Sequence, residues 1–150
     1  RDWVLSVVEA AGFEEGLYIA SDRYGMPWMS GGGCLTARDF LRMGLLFARK
    51  GWGVGNRQVG SPSFLEKTIK NLGPKYMKLS KNKYLYYSNS TMVTENMIGH
   101  SGYGGQFLAT NFKTGKVAAF FSVLETKSAT KESYKTDMIN MLTNLVNDNS

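Results

Sequence analysis

The sequence contains a single cysteine and a single histidine among its 150 residues, and each scarcity excludes a class of site. With Cys34 alone the chain has no internal disulfide, and with His100 alone it lacks the cysteine and histidine cluster of a structural zinc site. Cys34 lies between Gly33 and Leu35, which predicts a small buried side chain rather than a reactive thiol. We therefore expect neither a metal ion nor a cofactor.

Long apolar runs are absent as well, since no stretch approaches the length of a membrane span and no signal peptide is visible. The chain begins at Arg1 without a methionine, so we expect it to be a piece of a longer product. Its content of 43% apolar and 13% aromatic residues is typical of a folded globule, and 150 residues fit one domain.

Acidic residues are fewer than basic ones, and the net charge is +6. Much of the excess lies between Glu66 and Glu95 and consists of Lys67, Lys70, Lys75, Lys78, Lys81 and Lys83. A basic stretch can bind nucleic acid or acidic membranes. These lysines are spread over polar sequence without interleaved aromatic stacking residues, so we favour a solvated loop or strand edge and expect no nucleic-acid partner.

Two helices are predicted in the first third of the chain, on either side of an irregular segment. Residues 3–11 have apolar positions at helical spacing, and residues 12–33 mix Gly, Asp, Tyr, Pro and Trp as loops do. The second helix begins after Thr36, a favourable N-cap, with Asp39 three residues on in the capping-box position. Gly51 is predicted to occupy its C′ position.

The rest of the chain alternates between helical and strand patterns. A third helix is predicted from Pro62, residues 83–89 are aromatic and β-prone, and residues 106–112 and 116–124 form a hairpin. A terminal helix is predicted over about 130–146. Helices, antiparallel strands and a final helix predict an α+β fold, with an antiparallel sheet flanked by helices.

The most distinctive stretch is "GHSGYGGQ", residues 99–106, where the histidine adjoins a serine among four glycines within seven residues. Glycine at this density lets a ligand or another backbone approach closely. A histidine with its hydrogen bonds satisfied, on a glycine-rich strand and turn, is the structural alternative. The sequence around this stretch favours the functional interpretation.

The segments "GGGCLTARDFLRMGLLFARKG" and "GHSGYGGQFLATNFKTGKVAAFFSVL" resemble the serine hydrolases related to class C β-lactamases and penicillin-binding proteins. The resemblance is greatest to the 6-aminohexanoate-dimer hydrolase and esterase group, and it is weakest over 56–95. It implies the C-terminal part of a β-lactamase/transpeptidase-like fold. The matching positions are 36–39, Gly44, Gly51, 53–55, 99–106 and Gly115.

The resemblance also implies a mechanism for an ester or amide substrate. In this family the serine of S-x-x-K attacks a carbonyl, the lysine of that motif helps to activate it, and the tyrosine of Y-x-N acts as base and acid. A K-T-G or H-S-G strand supplies polar side chains and part of the oxyanion hole. By this correspondence His100 takes the lysine position, Ser101 the threonine position and Gly102 the glycine position, and the backbone N–H of Tyr103 is an oxyanion donor. Histidine in place of lysine favours an esterase, amidase or peptidase over a β-lactamase.

The nucleophile and the base are not found where the family has them, upstream of the "TARD" segment. The S-x-x-K strings at 80–83 and 128–131 and the Y-x-N string at 87–89 all follow that segment. We therefore expect residues 1–150 to be the C-terminal part of one hydrolase domain, inactive alone and partnered by the N-terminal part of the same enzyme. Within the 14–25 loop, Tyr18, Asp22 and Tyr24 are candidate substrate contacts, and a surface loop without contact to substrate is the equal alternative.

Two alternatives remain open. The literal Lys113-Thr114-Gly115 matches the family's K-T-G triplet, but it lies between two predicted strands and has the composition of a hairpin loop, so we interpret it as a turn. The chain as a whole is alternatively a non-catalytic remnant that acts as a binding or structural module.

Overall fold

The computed structural model describes residues 2–71, 73–81, 83–123 and 132–148. Within them a six-stranded antiparallel sheet lies between helices on both faces, which confirms the predicted α+β class. The helices are α1 (Asp2–Ala11), α2 (Ala37–Ala48), α3 (Pro62–Lys70) and α4 (Glu132–Asn147), with a 3₁₀ turn at Val54–Asn56. The strands are β1 (Tyr18–Ile19), β2 (Gly33–Cys34), β3 (Lys75–Ser80), β4 (Lys83–Ser88), β5 (Thr91–Val93), β6 (Ile98–Ser101), β7 (Gln106–Thr110) and β8 (Val117–Phe121).

The strands of the large sheet follow one another in space as they do in sequence, in the order β3-β4-β5-β6-β7-β8. β1 and β2 form a separate two-residue pair, in which Tyr18 lies opposite Cys34. The predicted irregular segment 12–33 is therefore broken by a short ribbon. The predicted hairpin is confirmed, since Thr110 of β7 pairs with Val117 of β8 across the loop that contains Lys113-Thr114-Gly115.

One face of the sheet packs against α4 and forms the main core. Phe107 of β7 lies at 6.2 Å from the ring of Tyr134 of α4, measured between ring centroids. Burial of such apolar side chains is the main driving force for this packing. The buried residues of this cluster are Leu79, Leu85, Met92, Met97, Phe107, Ala109, Ile139, Leu142 and Val146.

The opposite face of the sheet packs against α2. Neighbouring residues of a strand point to opposite sides, so Leu108 faces α2 whereas Phe107 and Ala109 face α4. Gly44 is needed on α2, since a Cβ there would meet the side chains of Leu108 and Val117. On its other side α2 packs against α1 around Ala10, Ala11 and Leu46. Among the described helices none is long and apolar enough to cross a membrane.

The ends of α2 differ from the prediction in two details. Thr36 caps the helix as expected, since its Oγ accepts a hydrogen bond from the N–H of Asp39 at 3.1 Å. The C-terminus is a Schellman motif in which Gly51 donates to the carbonyl of Leu46 at 2.6 Å. Lys50 therefore occupies the C′ position with φ of 53°, and the prediction that Gly51 is the C′ residue is wrong by one position.

The Asp39 carboxylate is the second difference, because it does not turn back to the N-cap as in a capping box. It is fully buried and accepts hydrogen bonds from the backbone N–H groups of Glu14 and Glu15 at 2.9 and 3.1 Å. Arg42 also donates to it at 3.1 Å. Burial alone would raise the pKa of Asp39, but these three donors outweigh it and lower the pKa below its usual value. Asp39 thus fixes the chain that leaves α1.

The basic stretch is solvated as predicted, but only Lys75 and Lys78 lie on a strand edge, whereas Lys67 and Lys70 belong to helix α3 and Lys83 begins β4. β3 is an edge strand of the sheet, and all six of the lysines named above are exposed. Ser80 is the last residue of β3. Polar and charged side chains on an edge strand hinder pairing with another chain.

Candidate functional site

A cleft of about 610 Å³ opens on the α2 side of the sheet. The cleft is surrounded by α1 with the segment after it, the 28–35 segment, one side of α2, and the end of β6 with the turn that follows, and Phe121 at the end of β8 also contributes. Its wall consists of Trp3, Val4, Val7, Val8, Phe13, Leu17, Ile19, Trp28, Met29, Ser30, Gly31, Gly33, Cys34, Leu35, Phe40, Met43, His100, Ser101, Gly102, Tyr103, Gln106 and Phe121. Volume and composition are those of a small-molecule site, which is mostly apolar with few polar groups.

β6 brings the predicted polar residues to this cleft. β5 pairs with β6 only at Ile98 and Gly99, whereas β7 pairs with it as far as Ser101. The strand thus runs beyond β5 before it enters the turn. Gly99 allows this close packing, because a Cβ there would meet the backbone carbonyl of Leu108.

His100 is half-buried in the cleft wall. Its ring lies at 5.8 Å from the ring of Phe47 on α2, measured between centroids, and at 43° to it. Burial lowers the pKa of His100 below its usual value, since the charged form loses hydration. The imidazole is therefore neutral at neutral pH and has one N–H donor and one nitrogen acceptor. No hydrogen bond joins it to another residue that the structure describes.

The turn after β6 is held by Gln106, the first residue of β7. The backbone carbonyl of Gln106 accepts from the N–H of Gly102 at 2.7 Å, and its side-chain oxygen accepts from the N–H of Gly104 at 3.1 Å. Side chains at Gly102 or Gly104 would collide with the Gln106 side chain. Gly105 has φ of 94°, which favours glycine. These requirements explain the dense glycines of "GHSGYGGQ".

A second set of hydrogen bonds anchors the turn to α4. The backbone carbonyl of Gly105 accepts from both the N–H and the hydroxyl of Ser122, at 3.1 and 2.9 Å. The hydroxyl of Tyr134 donates to Ser122 Oγ at 2.8 Å. The turn that carries Tyr103 is therefore fixed to β7 on one side and to the terminal helix on the other.

Four of the predicted site residues lie together in the cleft wall: His100, Ser101, Gly102 and Tyr103. Tyr18, Asp22 and Tyr24 are not among the residues that form this wall. Tyr18 is 77% exposed. The carboxylate of Asp22 accepts from the N–H groups of Tyr24 and Met26 at 2.8 and 2.9 Å, so it stabilises a local turn.

The described S-x-x-K serine and the Y-x-N tyrosine lie outside the cleft wall. Ser80 and Tyr87 are not part of the cleft wall, and the string at 128–131 is outside the described residues. Ser88 donates to the carbonyl of Asn71 at 2.9 Å, and the amide of Asn89 donates to Thr68 Oγ at 2.8 Å. These are structural contacts between β4 and α3.

Sequence reasoning missed two parts of the wall. α1 contributes Trp3 and Val7, and the 28–35 segment contributes Trp28 and Cys34. The predicted burial of Cys34 is wrong: it is exposed, because β2 is a two-residue strand at the rim of the cleft and not part of the core. The sequence of α1 carried a signal for this second contact, because the helix has more apolar residues than one packed face needs. In the structure the surplus is visible at Trp3, whose side chain is 63% exposed.

Among the residues that the structure describes, no Asp, Glu, Lys or Arg forms part of this wall. The described part of the chain also has no group of three or more His, Cys, Asp or Glu placed to hold a metal ion. At the β6 end of the wall His100, Ser101 and Gln106 contribute polar side chains, and Ser30 contributes a hydroxyl from the 28–35 segment.

The structure is similar to that of a protein from Bacillus anthracis provisionally named a 6-aminohexanoate-dimer hydrolase. The TM-score is 0.66 and the sequences are 26% identical, over 93% of this chain and 37% of that one. The chain thus spans well under half the length of that structure. No protein-family model and no curated protein matches the chain. The structural similarity supports a β-lactamase-like hydrolase fold and superfamily, in agreement with the motifs.

Proposed function

We propose that this chain is the C-terminal part of a β-lactamase-like serine hydrolase that cleaves an ester or amide bond through an acyl-serine. The chain supplies one wall of the active site, and an N-terminal part of the same enzyme supplies the nucleophile and its base. One observation carries the proposal: His100, Ser101, Gly102 and Tyr103 lie in one wall of an apolar cleft, in a chain whose fold is similar to that of a hydrolase.

The chemistry proceeds in two balanced steps. The serine oxygen bonds to the substrate carbonyl carbon and loses its proton to the base, and the alcohol or amine leaves after accepting a proton. Water then attacks the acyl-serine, which releases the acid and restores the serine. Both steps pass through an oxyanion, which is stabilised by donors placed where the negative charge develops.

The residues of this chain act on that oxyanion and on the orientation of the substrate. The backbone N–H of Tyr103 is the proposed oxyanion donor, in a turn that Gln106 holds rigidly. Neutral His100 is the proposed hydrogen-bonding side chain at the position where the family has lysine, and Ser101 lies next to it in the wall. A neutral imidazole binds a carbonyl or ether oxygen without introducing charge into an apolar cleft.

A serine-reactive phosphonate probe tests where the nucleophile resides. The probe should not label the 150-residue chain, because no serine of its cleft wall is proposed as the nucleophile. It should label the product read from the coding sequence that extends upstream of Arg1, at a serine in S-x-x-K. Labelling of the isolated chain would disprove the assignment of the nucleophile to the N-terminal part.

Substitution of His100 tests the contribution of the wall. In the extended product His100→Ala should lower kcat/KM by roughly 10- to 1,000-fold, as the loss of one stabilising donor does. His100→Asn, which keeps one N–H donor, should recover part of that loss. Unchanged kinetics in both variants would remove His100 from the site. A non-catalytic binding module, the alternative, would bind ligands in this cleft but show no turnover with the upstream segment present.

A further inference from the structure

The chemistry of the cleft wall narrows the substrate class, and this step rests on the proposed function. We infer that the part of the substrate held against this chain is an uncharged, apolar acyl or alkyl group. The enzyme would then prefer neutral esters to esters that carry a carboxylate or an ammonium group. The solved structure similar to this chain is provisionally named a 6-aminohexanoate-dimer hydrolase.

The charge pattern of α2 is the first support. Phe40 and Met43 face the cleft, whereas the neighbouring Asp39 and Arg42 are engaged on another side of the helix. Arg42 pairs with both Asp39 and Glu14, and Arg38 also pairs with Glu14, so two cations balance two carboxylates outside the wall. A charged ligand in the cleft would therefore lose hydration and gain no partner of opposite sign from the described residues of the wall.

The distribution of polar groups is the second support. The α1 side of the cleft is formed by Val4, Val7 and Val8, and the facing rim by Trp28 and Met29. His100, Ser101 and Gln106 supply hydrogen-bonding side chains at the β6 end of the wall. The arrangement fits a ligand with one carbonyl group at this end and a hydrocarbon chain along the rest. Burial of that chain contributes to binding in proportion to its apolar area.

Three methyl esters of equal chain length but different charge test the inference: dimethyl adipate (neutral), monomethyl adipate (anionic) and methyl 6-aminohexanoate (cationic). Binding to the 150-residue chain can be followed by tryptophan fluorescence, because Trp3 and Trp28 line the cleft. Dimethyl adipate should bind about 10- to 100-fold more tightly than either charged ester. In the extended product, kcat/KM should follow the same order.

The two assays separate the two proposals. Selective binding of the neutral ester without turnover in the extended product would disprove the serine hydrolase and support the inferred selectivity. Turnover with equal or better use of a charged ester would disprove the inference alone. No binding of the neutral ester by the chain and no preference for it in turnover would also overturn the inference.

A matched pair of methionines gives a sharper test. Met29 lies in the wall and is 58% exposed, whereas Met26 lies in the same loop, is 63% exposed and does not contribute to the wall. Met29→Lys should shift the preference towards monomethyl adipate by about tenfold, because it adds a cation at the rim. Met26→Lys should leave the preference unchanged. Equal behaviour of the two variants would show that the wall does not select the charge of the substrate.

Discussion

The side-chain oxygen of Gln106 accepts a hydrogen bond from the backbone N–H of Gly104 at 3.1 Å. Together with the bond from Gly102 N–H to the Gln106 carbonyl, it closes the turn around Tyr103 from two sides. Gln106 is therefore a positioning residue for the proposed oxyanion donor. Catalytic donors lose effect when their supporting contacts allow movement of even a fraction of an ångström.

Gln106→Ala should lower kcat of the extended product by about tenfold with little change in KM, since the turn is loosened where the transition state is stabilised. Gln106→Glu keeps the acceptor oxygen and should recover part of kcat. Steady-state kinetics and thermal unfolding of both variants provide the measurement. Gln58→Ala, at an exposed position outside the cleft, is the control and should match the unsubstituted enzyme. A loss of kcat only in proportion to a loss of folded protein would assign Gln106 a purely structural role.

His100 links stability to pH. Burial lowers its pKa in the folded state, so on acidification the unfolded chain binds a proton first. The contribution of neutral His100 to the free energy of unfolding is fully present above the unfolded pKa of about 6.5. It is lost as the pH falls below that value towards the folded pKa. Denaturant unfolding between pH 7.5 and 5 should show a steeper loss of stability for the unsubstituted chain than for His100→Gln. Parallel curves would contradict the burial of this imidazole.

The pKa of Asp39 is shifted in the same direction as that of His100, but it acts at lower pH and favours the charged form of the carboxyl. Its pKa is lowered in the folded state, so its stabilising effect is present above the unfolded pKa of about 3.9 and is lost as the pH falls through the folded pKa. Asp39→Asn should destabilise the chain by about 3 kcal/mol at pH 7, because an amide cannot replace all three accepted hydrogen bonds and Arg42 loses its buried partner.

The control for Asp39 is Asp137→Asn on the exposed side of α4, for which we expect a change within about 0.5 kcal/mol. Urea unfolding at pH 7 compares the two variants. If Asp39→Asn were no more destabilising than Asp137→Asn, the carboxylate would not be holding the segment at Glu14 and Glu15.

Substitution of Lys113 tests whether Lys113-Thr114-Gly115 is a hairpin turn or the active-site triplet of the family. Its ammonium group donates to Asn96 at 2.7 Å on the surface, and the carbonyl oxygen of the Asn111 side chain accepts from the N–H groups of Lys113 and Thr114. Lys113→Ala keeps these backbone bonds and should leave kcat/KM of the extended product within about twofold. A loss comparable to that of His100→Ala would restore Lys113-Thr114-Gly115 as the catalytic triplet.

Local patterns in the sequence predicted most of the elements. α1 and α2 begin and end near the residues that apolar spacing and Thr36 indicated, and α3 begins at Pro62 as predicted, because caps and periodicity act over a few residues. The strands β1, β2, β3 and β5 were not predicted. The β7–β8 hairpin followed from its turn composition for the same reason. The six-strand order required pairings that periodicity does not specify.

Long-range contacts limited the prediction of the site. The segment "GHSGYGGQ" indicated the β6 end of the cleft, because glycine at this density is typical of places where another backbone or a ligand approaches the chain closely. The apolar wall from α1 and the 28–35 segment depends on tertiary packing that no local motif records. Asp39 shows the same limit: its spacing from Thr36 indicated a cap, but its partners are 24 and 25 residues away in sequence.

The sequential strand order has a consequence for folding kinetics. Each of β3 to β8 pairs with the strand next to it in sequence, so the whole sheet can form by local hairpin closures with little loop entropy. The turn at 102–105 is one of those closures, since it joins β6 to β7. Its geometry can therefore be established as the hairpin forms, before the more distant contacts of α4 with β3 complete the core.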